Sequence, residues 1–151
     1  MNERKGTMSN LDGKIILITG AAKGMGATEA KMAVERGATV ILSDIIEDQL
    51  KTTADSLDSA FSRLDVTSKD DWEKTISKIL DDYGRIDGLV NNAGIFIQKT
   101  LFDDAQEAFE AMAKVNQLGT YLGIECVAPI MRDQESGSIV NISSVAGLRG
   151  Q

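Results

Sequence analysis

"KIILITGAAKGMGATEAKMAVERGATVILSD" occupies residues 14–44. Its first six residues, a lysine followed by a continuous and largely β-branched run, read as a buried strand. Gly20, Gly24 and Gly26 follow, then a helix-compatible stretch that ends at Gly37, in the place of a C′ glycine. A second apolar strand, residues 38–44, closes on Asp44. Strand, turn, helix and strand in this order make one right-handed βαβ crossover. Gly20 lets the chain leave its strand sharply. Gly24 and Gly26, lacking side chains, let backbone approach a bulky anion and let the helix pack close to the sheet. The helix N-terminus adds unpaired N–H groups and the positive end of a dipole. Three glycines alone signal a turn. Between a strand and a helix, with an acidic residue closing the next strand, they signal a dinucleotide site.

The alternation continues along the chain. Residues 46–57 form a weak helix, 60–65 a short strand, and 67–84 a clear helix with Trp72, Ile76, Ile79, Leu80 and Tyr83 at helical spacing. Ser68 and Asp71 have the spacing of a capping box, with Asp in place of Glu. "DGLVNNAG" (87–94) is a fourth strand and turn. A helical pattern spans about 103–130, interrupted near Asn116 and Gly119 and weakened by Pro129. Residues 136–144 supply a fifth strand. Trp72 and Cys126 read as packing residues. The expected architecture is α/β, a doubly wound parallel sheet in the order 3-2-1-4-5 with residues 138–143 at one edge. Residues 1–10 are expected to be a flexible tail and 11–151 a single dinucleotide-binding domain. Ligands of such sheets bind beyond the carboxyl ends of the strands, which directs attention to residues 19–26, 44, 65–66, 91–94 and 143–144.

Composition bounds the partners. A length of 151 residues fits one domain. The net charge of −7 argues against nucleic acid and against anionic membranes. The chain has one cysteine, Cys126, so an intrachain disulfide is excluded and a reducing, cytoplasmic location is expected. It has no histidine, which removes histidine-dependent triads and most zinc sites, so no metal is expected. No apolar run reaches the ~18 residues of a membrane span, and "MNERKGTMSN" lacks a signal-peptide core.

The spacing Thr19-Gly20-x3-Gly24-x-Gly26 resembles the T-G-x-x-x-G-x-G motif of the short-chain dehydrogenase/reductase family. Four further segments match that family in order: "LDVT" (64–67), "NNAG" (91–94), "VNQLGTYLG" with Asn116, and "GSIVNISSVAG" with Ser144. The wording is nearest to NAD-dependent hydroxysteroid and secondary-alcohol dehydrogenases. The resemblance implies a Rossmann-type fold. It also implies hydride transfer between a nicotinamide and a secondary alcohol or ketone, steroid-like substrates included, and a homo-oligomer in the full-length family form.

By the same resemblance Gly20, Lys23, Gly24, Met25 and Gly26 surround the cofactor phosphates. Asp44, with Ile45, receives the adenosine ribose. NAD is expected over NADP, because a carboxylate facing a 2′-phosphate is costly, although NADP-preferring members often carry a basic residue at the position of Lys23. Asp65 bonds the adenine amino group with help from the Val66 backbone, and Asn92, Ala93 and Gly94 line the cofactor ribose. Asn116 deforms its helix and holds a water that relays protons. Ser144 donates to the substrate oxygen. The family's Tyr-x-x-x-Lys follows that serine, and neither Tyr83 nor Tyr121 begins such a motif. The 151-residue chain is therefore expected to bind NAD weakly, to show no appreciable turnover and to self-associate through the edge carrying Ile139, Val140 and Ile142. The alternative is an inactive nucleotide-binding or interaction fragment.

Overall fold

The computed structural model describes residues 11–100, 102–103 and 105–148. The expected tail of residues 1–10 lies outside the described residues. Five strands, β1 (Ile15–Thr19), β2 (Thr39–Asp44), β3 (Ala60–Arg63), β4 (Gly88–Asn91) and β5 (Ser138–Asn141), form one sheet in the order β3-β2-β1-β4-β5. Every pairing is parallel. The expected strand order and sheet type are those observed.

The central strand β1 is buried on both faces, and its pleat divides the core. Ile16 and Ile18 point with Val40 and Leu42 toward α1 (Gly24–Val34) and α2 (Glu47–Ser56), where Ala30, Ala33, Leu50 and Ala54 meet them. Leu17, Ile41 and Leu89 point the other way, toward Trp72, Ile76 and Ile79 of α3 (Lys69–Tyr83) and Leu122 and Val127 of α5 (Gly119–Asp133). Small residues on α1 bring that helix close to the sheet. α1 ends as expected at Gly37: the Ala38 N–H donates to the Ala33 carbonyl and the Gly37 N–H to the Val34 carbonyl, the pair of bonds that places a residue at C′.

One local expectation needs correction and two are refined. The capping box is half made. Ser68 Oγ accepts from the Asp71 N–H at 3.2 Å, but the Asp71 carboxylate turns to the Asp65 N–H and the Arg63 guanidinium, both at 3.1 Å. Asp is one methylene shorter than the Glu that normally reaches back to the cap. The helix around Asn116 departs from α geometry there, as expected, without breaking. It runs from α4 (Gln106–Met112) through a π-helical turn (Ala113–Leu118) into α5, and such wide turns occur frequently at functional sites. The helix, expected to reach about residue 130, continues past Pro129 to Asp133. The helix stops where the Gln134 amide binds both the N–H and the carbonyl of Ile86.

At the opposite end of the sheet from the glycine turn, Asp87 is buried. Its carboxylate accepts from the Ile15 N–H at 3.0 Å and from Arg85 Nε, with Lys14 at 3.5 Å. Burial alone pushes its pKa up, but Arg85, the Ile15 amide and Lys14 outweigh it and hold the group below the usual carboxylate range. A carboxyl depressed in the folded state stabilises above its unfolded pKa of about 3.9 and loses that stabilisation as pH falls through the folded value. Asp87→Asn is expected to cost about 1–3 kcal/mol at pH 7, the loss of charge-assisted hydrogen bonds to a buried acceptor whose basic partners are half exposed. Urea midpoints between pH 5 and 3 should then fall less for the variant than for the native chain; parallel decline would place the acid sensitivity elsewhere.

β5 pairs with β4 alone among the described residues. It is the least covered strand: Val140 is 47% exposed, and Ile142 just beyond it 37%.

Candidate nucleotide site

β1 ends at Thr19, and that side chain organises the turn beyond it. Thr19 Oγ1 donates to the Val90 carbonyl at 3.3 Å and accepts from the Asn92 and Ala93 N–H groups at 3.1 and 3.0 Å. The Asn92 amide returns the link, donating to the Thr19 and Gly20 carbonyls at 2.9 and 3.2 Å. The ends of β1 and β4 are thus one hydrogen-bonded unit. Gly20 and Gly24 hold φ of 67° and 61°, a left-handed conformation costly for other residues. A Cβ on Gly26 would overlap the Gly20 carbonyl oxygen and Asn92 Nδ2 and lie 3.0 Å from the Gly20 carbonyl carbon. The α1 N-terminus reaches the turn only because that carbon is missing.

The result is a cleft of about 560 Å³ at the carboxyl ends of β1, β2 and β4. Gly20, Lys23, Met25 and Gly26 form one wall, Asp44 and Ile45 another, Asp65 and Val66 a third. Asn92, Ala93 and Gly94 close it. Gly24 lies outside the lining and serves by opening the helix. Lys23 stands at the N-cap without a side-chain cap bond, and the first turn of α1 holds no acidic residue. α1 therefore supplies no acidic counter-charge in its own first turn. Asp44 Oδ2 accepts from the Ala22 N–H and Oδ1 from the Ile46 N–H, both at 3.1 Å. Each oxygen keeps a second lone pair.

Val66 is held from two sides. The indole N–H of Trp72, itself fully buried, donates to the Val66 carbonyl at 3.0 Å, and α5 packs so closely that a Cβ on Gly119 would lie 2.7 Å from Val66 Cγ2. Asp65 Oδ1 accepts from the Thr67 N–H and hydroxyl at 2.9 and 2.8 Å, and Oδ2 takes part in neither bond.

Asn116 and Ser144 do not line this cleft. Asn116 sits in the π-helical turn with its side chain committed to Ile95: Oδ1 accepts from the Ile95 N–H and Nδ2 donates to the Ile95 carbonyl, both at 2.9 Å. Ser144 caps the short 3-10 turn Val145–Gly147, its Oγ accepting from the Ala146 N–H at 3.2 Å. Its own proton remains available, since a hydroxyl has one donor and two acceptor sites. Cys126 packs partly buried against the core, and burial pushes its thiol pKa up. Cleft residues without an expected role are Ile46, Leu64, Ile95, Phe96 and Val115. The run "IFI" at 95–97, apolar in a loop and with Phe96 77% exposed, was the available signal for two of them.

The described residues contain no cluster of side chains suited to a metal, and no helix long and apolar enough to cross a membrane. The cleft's features instead suit a dinucleotide: a backbone cradle that a single Cβ would fill, a helix N-terminus with no acidic residue in its first turn, and a carboxylate at the next strand end.

Comparison with known proteins agrees with this geometry. Residues 14–151 match the family model described as short chain dehydrogenase. The chain is 34% identical over 148 residues to trans-4-hydroxycyclohexanecarboxylate dehydrogenase of Sinomonas cyclohexanicum, an alignment covering 91% of this chain and 57% of that protein. It is 38% identical over 142 residues to a 3-alpha-(or 20-beta)-hydroxysteroid dehydrogenase of Mycobacterium bovis, covering 93% of this chain and 55% of that one. A solved short chain dehydrogenase/reductase from Burkholderia phymatum, in complex with NAD, superposes with a TM-score of 0.91 at 31% identity, covering 95% of this chain and 53% of the other. The chain thus spans little more than half the length of these relatives. It belongs to the short-chain dehydrogenase/reductase family of oxidoreductases.

Proposed function

We propose that residues 11–151 form the NAD-binding unit of an oxidoreductase that interconverts secondary alcohols and ketones. Cyclic alcohols and steroid-like substrates are the preferred candidates, by the printed activities of the relatives. A nicotinamide dinucleotide supplies the hydride chemistry when bound. The chain's own residues do the rest. The α1 N-terminus with Gly20, Lys23, Gly24, Met25 and Gly26 takes the pyrophosphate. Asp44, beside Ile45, accepts from the adenosine ribose hydroxyls with its spare lone pairs. Asp65 Oδ2 and the Val66 amide face the adenine, and Asn92, Ala93 and Gly94 face the cofactor ribose. Ser144 donates to the substrate oxygen and stabilises negative charge that develops there. Asn116 holds the Ile95 loop, and its second amide N–H is left for a proton-relaying water.

The observation carrying NAD over NADP is Asp44, a carboxylate in the same cleft as the glycine turn. Asp44→Asn removes the charge and keeps one acceptor. NAD affinity is expected to fall about tenfold, the scale of one charge-assisted hydrogen bond, while NADP affinity holds or rises. Paired titrations check this. NADP bound more tightly than NAD by the native chain would mean that Lys23, not Asp44, decides the choice.

A further inference from the structure

Ala22 is not in the cleft lining, yet both its peptide groups are tied down. Its N–H donates to Asp44 Oδ2 at 3.1 Å, and its carbonyl accepts from Thr53 Oγ1 at 2.7 Å. Thr53 is half-buried in the last turns of α2, and it too lies outside the cleft. The helix that carries it is rigidly seated, because Leu50 and Ala54 are fully buried in the same core cluster as Ala21 and Ala22.

The Ala22 carbonyl belongs to the same planar trans peptide as the Lys23 N–H, so the two bonds point in opposite directions. With the carbonyl turned to α2, the Lys23 amide is turned away from α2. It donates to no backbone carbonyl among the described residues, and Lys23 itself lines the cleft. We propose that Thr53 is a positioning residue for the dinucleotide: its hydroxyl holds the Ala22–Lys23 peptide in the orientation that offers the Lys23 N–H to the ligand. Asp44 secures the preceding peptide, so the two side chains act as a clamp on either side of Ala22. A preorganised donor is worth more than one that must be ordered on binding.

This inference rests on the reading of the cleft as a dinucleotide site. It is tested by titrating the full chain and three variants with ADP-ribose, and by following, without ligand, hydrogen exchange of the Ala22 amide, which is bonded to Asp44 in the same clamp. Thr53→Val keeps shape and removes the hydroxyl; Thr53→Ser keeps the hydroxyl. Thr53→Ala, read against Thr53→Ser, isolates the hydroxyl again should the valine variant fail to fold. The expected result is a five- to tenfold weaker affinity and faster Ala22 exchange in the Val and Ala variants, with Ser within about twofold of the native chain. Equal affinities across the series, or equal losses in Ser and Val, would overturn the role of the hydroxyl while leaving the cleft reading intact. Failure of the native chain to bind ADP-ribose would overturn the cleft reading itself.

Discussion

Gly26→Ala is expected to lower dinucleotide affinity by at least a hundredfold. The added carbon has no empty direction. It meets the Gly20 carbonyl oxygen and Asn92 Nδ2 inside van der Waals contact, and neither is the free end of a flexible side chain. The Gly20 carbonyl is backbone at the turn itself, and the Asn92 amide is fixed by its bonds to the Thr19 and Gly20 carbonyls. Relief requires the N-terminal turn of α1 to move off the strand ends. That costs about 1–3 kcal/mol of overpacking strain, and it displaces the N–H groups that the pyrophosphate needs. Isothermal titration with NAD, beside a melting curve, separates the two effects. A variant that binds normally despite a lower melting temperature would show that the phosphates are held elsewhere.

Ser144→Ala is expected to reduce turnover by about 10²–10³-fold, the usual consequence of removing one donor to developing negative charge, while cofactor affinity stays within about twofold. The asymmetry follows from where the hydroxyl acts. Charge on the substrate oxygen builds up in the transition state, so the loss belongs in kcat. The structural part of the loss is small: Ser144 also caps the three-residue turn Val145–Gly147, and a lost cap costs about 1 kcal/mol. Steady-state kinetics and NAD titration, made in a form of the protein that turns over, give both quantities. Equal declines in turnover and cofactor affinity would assign Ser144 to the turn rather than to the chemistry.

The parts of the fold that repeat were legible in the residues. Continuous apolar, β-branched runs announced β1 and β2, and the glycine trio placed the ligand end of the sheet. The crossover rule then left few orders besides 3-2-1-4-5. What escaped were side-chain bonds to distant backbone. Thr53 looks like any threonine on a polar helix, since its partner at Ala22 is 31 residues away. Trp72 read as packing, and it is, but its indole N–H also fixes Val66. The Asn116 side chain ties two elements 21 residues apart, and the sequence pattern marked only a weak point in a helix. Periodicity reports which face is buried; it carries no information about which backbone group a polar side chain finds there. The cleft wall at Ile95 and Phe96 escaped for a related reason, since a loop exposing apolar residues obeys no period.

In the proposed function the glycine turn, Asp44 and the Asp65–Val66 turn together hold the adenosine half of NAD. The pieces for that half all lie between β1 and the start of α3, so the most direct measurement uses ADP-ribose and its 2′-phosphate as separate ligands, titrated calorimetrically into the 151-residue chain. Saturable 1:1 binding of ADP-ribose is expected, with the 2′-phosphate at least tenfold weaker because its dianion faces Asp44. No binding of either ligand, or tighter binding of the phosphorylated one, would contradict the claim.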